Sequence, residues 1–489
     1  MSAPPQHPAL GKTSRAIGVM LALLSVPYAH ASMRPLRILR APWDAADPDP
    51  VAAAPVVPAP VATIGESELR ASDNHGTLTN ALPQSEEPAL DPQVLAKTAG
   101  SIAVEDASGH ALDAFYTQLG RTLSKEPGAI TRVLHYGDSM IASDYVSGTM
   151  RRRMQARYGD AGHGFILTAN GWDWYFHNDV VHRASDGWSL SRITGPLASD
   201  GLFGLGGVSF HTSQRANATF ATLARGEFGK AVSRFDVYYL EQPGGGDFEL
   251  SVKGSAPERV STAGPAKVSR KRSVTVPDGA GELTLRAIGG GDVRTFGVVM
   301  EREAPGVTYD ALGALGGRAS LWKTMNAEHW REQLTLRQPA LIVLQYGTNE
   351  SEDGGVNEPE YEKTLGTLID TLRASAPFAS VLVAAPLDRA EKAEDGSMRS
   401  PRVIVRIVEL QKKIAAQHGV AFWNTFEAMG GKGSMAKWVA KGLGGADLTH
   451  PTPQGAQLVG DLFFKALSTG HDAFASAHRG SPATDSGRD

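Results

Sequence analysis

Two different hydrophobic periods share this chain, and their order along it limits the folds it can reach. One pattern alternates short apolar strands with helical stretches. Thr131 to Tyr136 reads as a buried strand, and Tyr145 to Tyr158 as a helix with Met150, Met154 and Tyr158 spaced by one turn. Further on, strands at Ala340 to Tyr346, Ala379 to Ala385 and Val420 to Trp423 alternate with helices at Glu360 to Ala374, Val403 to His418 and Pro453 to Leu467. Such alternation predicts a parallel sheet covered on both faces. The second pattern interrupts the first. From about Phe165 to Glu303 the helical period is lost. Short β-type runs replace it, including Phe235 to Leu240, Phe248 to Val252, Val274 to Val276, Leu283 to Leu285 and Phe296 to Met300. Glycine clusters at Gly244–Gly246 and Gly289–Gly291 divide them. The expected organisation is an α/β domain in two parts, 96–164 and 305–469, split by an all-β sandwich at 165–304. Insertion into a surface loop costs little when the ends of the insert lie close together.

The flanks differ in kind. Lys12 and Arg15 precede an apolar run, Ala16 to Tyr28, that ends in Ala29-His30-Ala31. A basic start, a short apolar core and a small-x-small ending make a secretory signal peptide, with cleavage expected after Ala31. The run is short for a bilayer span, so no transmembrane segment is expected to remain after cleavage. An exported chain is the implied destination: periplasm, cell envelope or medium. Residues 32–95 are rich in Ala and Pro and read as a disordered tether, and 470–489 read as a frayed polar tail.

Composition excludes several chemistries. The chain has no cysteine, which removes disulfides, thiolate nucleophiles and Cys-ligated zinc. Its formal charge is −4, with no long Lys/Arg block, so nucleic acid is not an expected partner. The densest basic cluster, Arg151 to Arg153, falls within a predicted helix and reads as a solvated face. His135, His163, His177 and His182 show no recognisable ligand spacing and read as surface or hydrogen-bonded groups. No phosphate loop or dinucleotide fingerprint is present. No metal and no cofactor are expected.

Four loops can carry chemistry. Gly137-Asp138-Ser139 follows an apolar strand and precedes a helix. A serine there sits at the carboxyl end of a parallel strand, where open α/β sheets place their sites. The same residues would also suit an ordinary helix N-cap. Asp447 and His450 lie three apart on one loop, which suits a base and the carboxylate that orients it. A capping loop with a surface histidine has the same composition. Asn349, in Gly347-Thr348-Asn349 after the strand ending at Tyr346, can donate to an oxyanion, although Gly and Asn also favour turns. Gly313 to Gly317 follows Val307 to Tyr309 and offers backbone N–H groups, with Gly316 the preferred donor over Gly313 and Gly317. Singly these signals are modest. Jointly they supply a nucleophile, a base, an orienter and two oxyanion donors, each just after a strand.

The four loops resemble the Ser, Gly, Asn and His blocks of the SGNH (GDSL-type) hydrolase superfamily. The serine block reads HYGDSMIASDYVSGTMRRRMQARYGDAGHGF, the asparagine block LIVLQYGTNES and the last block DLTHPTPQG. The glycine block matches loosely, and Met140 stands where many members carry Leu. The resemblance spans about Ala96 to Gly164 and Val307 to Leu467. It implies a flavodoxin-like three-layer α/β/α fold, with Ser139 as nucleophile, His450 as general base and then acid, and Asp447 as its orienter. Gly316, Asn349 and the Ser139 backbone N–H would form the oxyanion hole. The long serine block with a β insert behind it is similar to exported bacterial members that remove O-acetyl groups from peptidoglycan, in which the insert resembles a carbohydrate-binding module. An acylated glycan is therefore the expected partner. The same triad would also serve an O-acetyltransferase or a longer-chain esterase or lipase. A glycan-binding protein with an inert hydrolase domain is a third reading. Within the insert, Trp172, Trp174, Tyr175, Phe176 and His177 form an aromatic cluster suited to sugar stacking, but a sandwich of this size calls on large residues for its core first.

Overall fold

The computed structural model describes residues 78–79 and 103–478. The expected signal segment, most of the expected tether and the end of the tail lie outside them. Five parallel strands form the central sheet: β1 (Ile130–Gly137), β2 (Gly306–Gly313), β3 (Leu341–Gln345), β4 (Ser380–Ala384) and β5 (Ala421–Trp423). They lie in the order β2-β1-β3-β4-β5, with Gly313 opposite Gly137 and Gly137 opposite Gln345. This is the flavodoxin-like order, whose switch point falls where β1 lies between β2 and β3. The strands are apolar almost throughout because both faces are covered. Alternate residues turn opposite ways: Val133, Leu341 and Val343 join one core, Leu134, Ile342 and Leu344 the other.

Three helices cover the first face: α1 (Asp113–Leu123), α3 (Tyr145–Tyr158) and α7 (Pro453–His478). Phe115, Met150, Met154, Leu458 and Phe463 fill the layer between them and the sheet. Three more cover the second face: α4 (Ala327–Arg337), α5 (Glu358–Ser375) and α6 (Arg402–Gln417). Asn326 and Asn357 cap α4 and α5, each accepting from the backbone N–H three residues on. A further four-residue helix, α2 (Ser139–Ala142), follows β1 directly. The last helix runs through His478 rather than ending at Leu467, so the start of the expected tail is helical. Its buried His471 near α1 and Phe474 beside Tyr116 explain the extension. Among the described residues no helix is long and apolar enough to cross a membrane.

The interrupting segment forms two antiparallel sheets. One orders strands Leu78–Thr79, Val180–Ala184, Ala216–Thr222, Glu282–Gly289, Asp247–Val252 and Glu258–Ser261. Leu78–Thr79 belong to the expected disordered tether, yet pair with Ala184 and Arg183 as an edge strand. The other sheet orders Val268–Gly279, Val232–Glu241, Val293–Glu301, Val208–Thr212 and Ser189–Arg192, with Gly164–Leu167 also paired to Val293–Glu301. Phe220, Phe235, Phe248, Leu250, Leu283, Leu285 and Val298 fill the sandwich between them.

The second sheet is also buried on its outer face. In Val232–Glu241, Phe235, Val237 and Tyr239 point into the sandwich, while Tyr238 and Leu240 join the core beneath α4. That core includes Leu134, Tyr136, Trp322 and Trp330 of the α/β layers. The polar seam matches. Gln333 and His329 of α4 both bond the Phe203 carbonyl, and Arg337 pairs with Glu301 and Asp310. Arg132 of β1 and Arg234 bind the same Glu301. The insert is thus a packed third partner rather than a module hung on a loop.

The basic cluster of α3 corrects the expectation of a solvated face. Arg151 is buried and bonds both carboxylate oxygens of Asp144. Arg152 pairs with Asp179. Arg153, the most open of the three, reaches Asp461 of α7. Two of the three arginines therefore tie α3 to the start of the insert, because the insert covers the helix side that would otherwise meet water.

Candidate active site

β1 ends in a turn with little room. A Cβ on Gly137 would lie 2.4 Å from the Ile141 side chain, so glycine alone lets α2 start directly against the strand. Asp138 caps α2 by accepting from the Met140 N–H at 3.1 Å. Ser139 is the first residue of the helix, half-buried at the carboxyl end of the sheet. The loop after β2 leans on the same turn, with the Ala314 N–H donating to the Gly137 carbonyl. The loop after β3 joins them through Asn349, whose Nδ2 donates to the Gly317 carbonyl at 2.9 Å.

The structure brings Asp447, His450 and Ser139 into one hydrogen-bonded chain. Asp447 and His450 share the loop before α7. Leu448 between them adopts a left-handed conformation at φ 62°, which folds the loop back so that both side chains meet. The Asp447 Oδ2 lies 2.7 Å from His450 Nδ1, and His450 Nε2 lies 2.8 Å from Ser139 Oγ. The Thr449 and His450 backbone N–H groups both donate to Asp447 Oδ1 at 3.0 Å. Burial pushes the Asp447 carboxyl up, but these hydrogen bonds outweigh it and hold the group at about 2. An ionised Asp447 can only accept, so the proton on the Nδ1 side belongs to the ring. Nε2 is then the acceptor that faces the serine hydroxyl. The hydrogen bond to Asp447 raises the His450 pKa against a lowering by partial burial.

The glycine loop separates into roles. Gly313 is fully packed, and a Cβ there would strike the backbone of Ile141 and Ala142. Gly317 faces the Gly137 carbonyl and Asp138. Gly316 is exposed, at φ 69°, with nothing within 4 Å of a notional Cβ. Among the described residues its backbone N–H bonds no other group, and the same holds for the N–H of Ser139. These are the features an oxyanion donor needs.

Two acids beside the site, the buried Asp138 and the half-buried Glu350, were not singled out in the sequence. Burial raises the pKa of Asp138, opposed by its hydrogen bonds with Met140 and Thr348 and by His450. Burial likewise raises Glu350, which accepts from the Gly347 and Ala319 N–H groups and so ties the asparagine and glycine loops together. Their signal was position alone: each adjoins a block residue.

Of the two expectations for the histidines, surface or hydrogen-bonded, the second holds, and they are buried. His135 bridges Tyr309 and Gln345, and burial lowers its pKa to about 3. His163, His177 and Asp144 come together closely enough for a metal ion. Their bonding favours a polar network instead. His163 Nε2 meets His177 Nδ1 at 2.8 Å, and the Asp144 carboxylate is taken by Arg151, Ser147 and the Asn178 N–H. The guanidinium of Arg151 stands where a cation would be repelled. The aromatic cluster divides. Trp172, Tyr175 and His177 are core, Phe176 is half-buried, and Trp174 is exposed beside His450.

Residues 288–458 match the GDSL-like lipase/acylhydrolase family, a span that holds Gly316, Asn349, Asp447 and His450 but not Ser139. No curated protein sequence matches the chain. A solved peptidoglycan O-acetylesterase superposes with a TM-score of 0.65 at 22% identity, over 76% of this chain and 99% of that one. A family two carbohydrate esterase from Cellvibrio japonicus aligns at 9% identity over 63% of this chain and 98% of its own, with a TM-score of only 0.26. One from Clostridium thermocellum, in complex with cellohexaose, does so at 12% identity over 58% and 99%, also at 0.26. Fold and family match together point to a serine ester hydrolase similar to the GDSL-like (SGNH-type) acylhydrolases. Within that class the chain resembles peptidoglycan O-acetylesterases, with an antiparallel β domain set into the hydrolase fold.

Proposed function

We propose that this protein is an exported carbohydrate O-acetylesterase, acting on O-acetylated peptidoglycan, with Ser139, His450 and Asp447 as its triad. The observation that carries the reading is the unbroken chain from Asp447 through His450 to Ser139 Oγ at the carboxyl end of the sheet. His450 Nε2 takes the hydroxyl proton as Ser139 Oγ bonds to the acetyl carbon. The oxyanion then meets the N–H groups of Ser139 and Gly316 and the Asn349 amide. As the C–O bond to the sugar breaks, His450 returns the proton to the leaving alkoxide. Water, deprotonated by the same ring, releases acetate from the acetyl-serine. Peptidoglycan as substrate is supported by the fold shared with a peptidoglycan O-acetylesterase along nearly all of that protein. Export is supported by the leader ending at Ala31.

The test is acetate release by the mature chain from p-nitrophenyl acetate, O-acetylated peptidoglycan and acetylated xylan, beside Ser139→Ala. Release from peptidoglycan that disappears in the variant is the expected result. Surviving activity in Ser139→Ala would remove the mechanism. A rate that climbs with acyl chains longer than acetyl would replace the deacetylase with a longer-chain esterase.

A further inference from the structure

Trp174 is out of place for a folding residue. It is 53% exposed, while its neighbours Trp172 and Tyr175 are 7% and 1% exposed. A large aromatic ring left open to water gives up the burial that would stabilise it, so its position calls for another explanation. The turn that carries it is fixed from both sides. Trp172 Nε1 donates to Thr194 Oγ1, and the Tyr175 hydroxyl accepts from the Leu167 N–H. The Tyr175 N–H closes the turn on the Trp172 carbonyl. The next residue, Phe176, donates its N–H to the carbonyl of Ala142, the last residue of the serine helix. The turn is thus bonded to the element that holds the nucleophile. It sets the Trp174 ring centroid 6.4 Å from that of His450, tilted by 53°. That separation is toward the long end for paired rings, and contact with the histidine leaves about half of the indole open. Among the described residues the indole N–H of Trp174 bonds nothing.

We infer that Trp174 is the platform for the pyranose ring whose acetyl ester is attacked by Ser139. This rests on the carbohydrate esterase reading above and adds the residue that selects sugar esters over simple ones. The apolar C–H face of a pyranose suits an indole face, and the free N–H can bond a ring hydroxyl. A rigid turn supplies the surface at little entropic cost on binding. The polypeptide preceding Val180–Ala184 therefore contributes directly to substrate recognition.

The experiment compares wild type, Trp174→Ala and Trp174→Phe on p-nitrophenyl acetate, on soluble O-acetylated peptidoglycan fragments and on acetylated xylo-oligosaccharides. In Trp174→Ala, kcat/KM for the glycan should fall about tenfold further than kcat/KM for the small ester, mainly through KM. Trp174→Phe, which keeps a ring, should lie between. In the Ser139→Ala background, calorimetric titration with the same fragments should weaken about tenfold on adding Trp174→Ala. If glycan and small ester fall together, Trp174 acts only through His450 and the platform is overturned. If neither falls, it is overturned as well, and the esterase reading stands in both cases. A wild-type enzyme that turns over p-nitrophenyl acetate and neither glycan would instead overturn the carbohydrate reading, before any Trp174 variant is compared.

Discussion

His450 can take a proton from Ser139 only while its Nε2 is bare, so the acid limb of activity should follow its ionisation. The hydrogen bond to Asp447 favours the imidazolium and raises that pKa above the usual histidine value. Activity should therefore rise with pH through a midpoint above 6.5. Asp447→Asn removes the charge that holds the proton. The limb should move to lower pH while the plateau falls by about 10⁴-fold, because the amide no longer fixes the ring with Nε2 toward the serine. A pH profile of kcat/KM for both enzymes checks this, and a limb that moves upward or stays put would refute the role of Asp447. Asn349 acts at the other end of the reaction. With one N–H held by the Gly317 carbonyl, its second N–H is left for the oxyanion. Asn349→Ala should cost about 10²- to 10³-fold in kcat with little change in KM, measured on p-nitrophenyl acetate. These residues were legible because chemistry restricts their types. Ser139 and Asn349, each just after a strand, with Asp447 and His450 three apart on one loop, have few alternative joint explanations. The structure sets the Asp447–His450 loop after a short helix, Ser434–Ala440, rather than directly after a strand. Gly316 was harder, since Gly313, Gly316 and Gly317 differ only in what surrounds them, and a sequence does not state surroundings. The structure separates them by steric room.

At the scale of elements, legibility followed hydrophobic period. β1, α3, β3, α5, β4, α6 and β5 lie within a few residues of their expected bounds because their buried faces are apolar. α4 was not anticipated. Its buried face carries His329, Gln333 and Arg337, so it shows no apolar stripe. The same substitution of polar for apolar groups hid the fate of Arg151 in α3. Burying such residues demands partners, and α4 has them. Arg337 donates to Thr308, to both oxygens of Asp310 and to Glu301. Burial pushes Glu301 up, yet Arg337 and Arg132 outweigh this and hold it well below the usual carboxylate range. Arg337→Ala would leave Asp310 facing only the Phe165 N–H. The expected cost is about 3–5 kcal/mol, read from denaturant unfolding, since an unpaired buried charge forfeits its solvation without compensation. A loss below about 1 kcal/mol would mean that water enters the seam and that the network is not dry.

At the largest scale, the described residues form five packed layers: two helical, one parallel sheet and two antiparallel sheets. The sequence indicated an inserted β-sandwich but not how tightly it packs on the α/β layers, since period alone cannot tell a sheet covered on one face from one covered on both. The Val232–Glu241 strand shows the difference. Its second half is apolar on both sides: Tyr238 and Leu240 meet the α/β core, while Val237 and Tyr239 join Phe235 in the sandwich. A strand with one wet face would alternate. The shared core around Tyr136, Trp322 and Trp330, closed by Phe203, Phe210 and Phe296, leaves no independent surface for either part. Separating them would expose a continuous patch of aromatic residues to water. It would also remove Trp174 and the Phe176 bond to the serine helix. The mature chain should therefore unfold in a single transition, seen alike by far-ultraviolet circular dichroism and by tryptophan fluorescence. A variant with 164 joined to 305 should be insoluble, or should bind a hydrophobic dye and fail to hydrolyse p-nitrophenyl acetate. Two resolved transitions, or a soluble and active excised chain, would mean that the central core closes without the insert. The β-sandwich would then be an accessory that only shapes the substrate cleft, rather than a structural half of the enzyme.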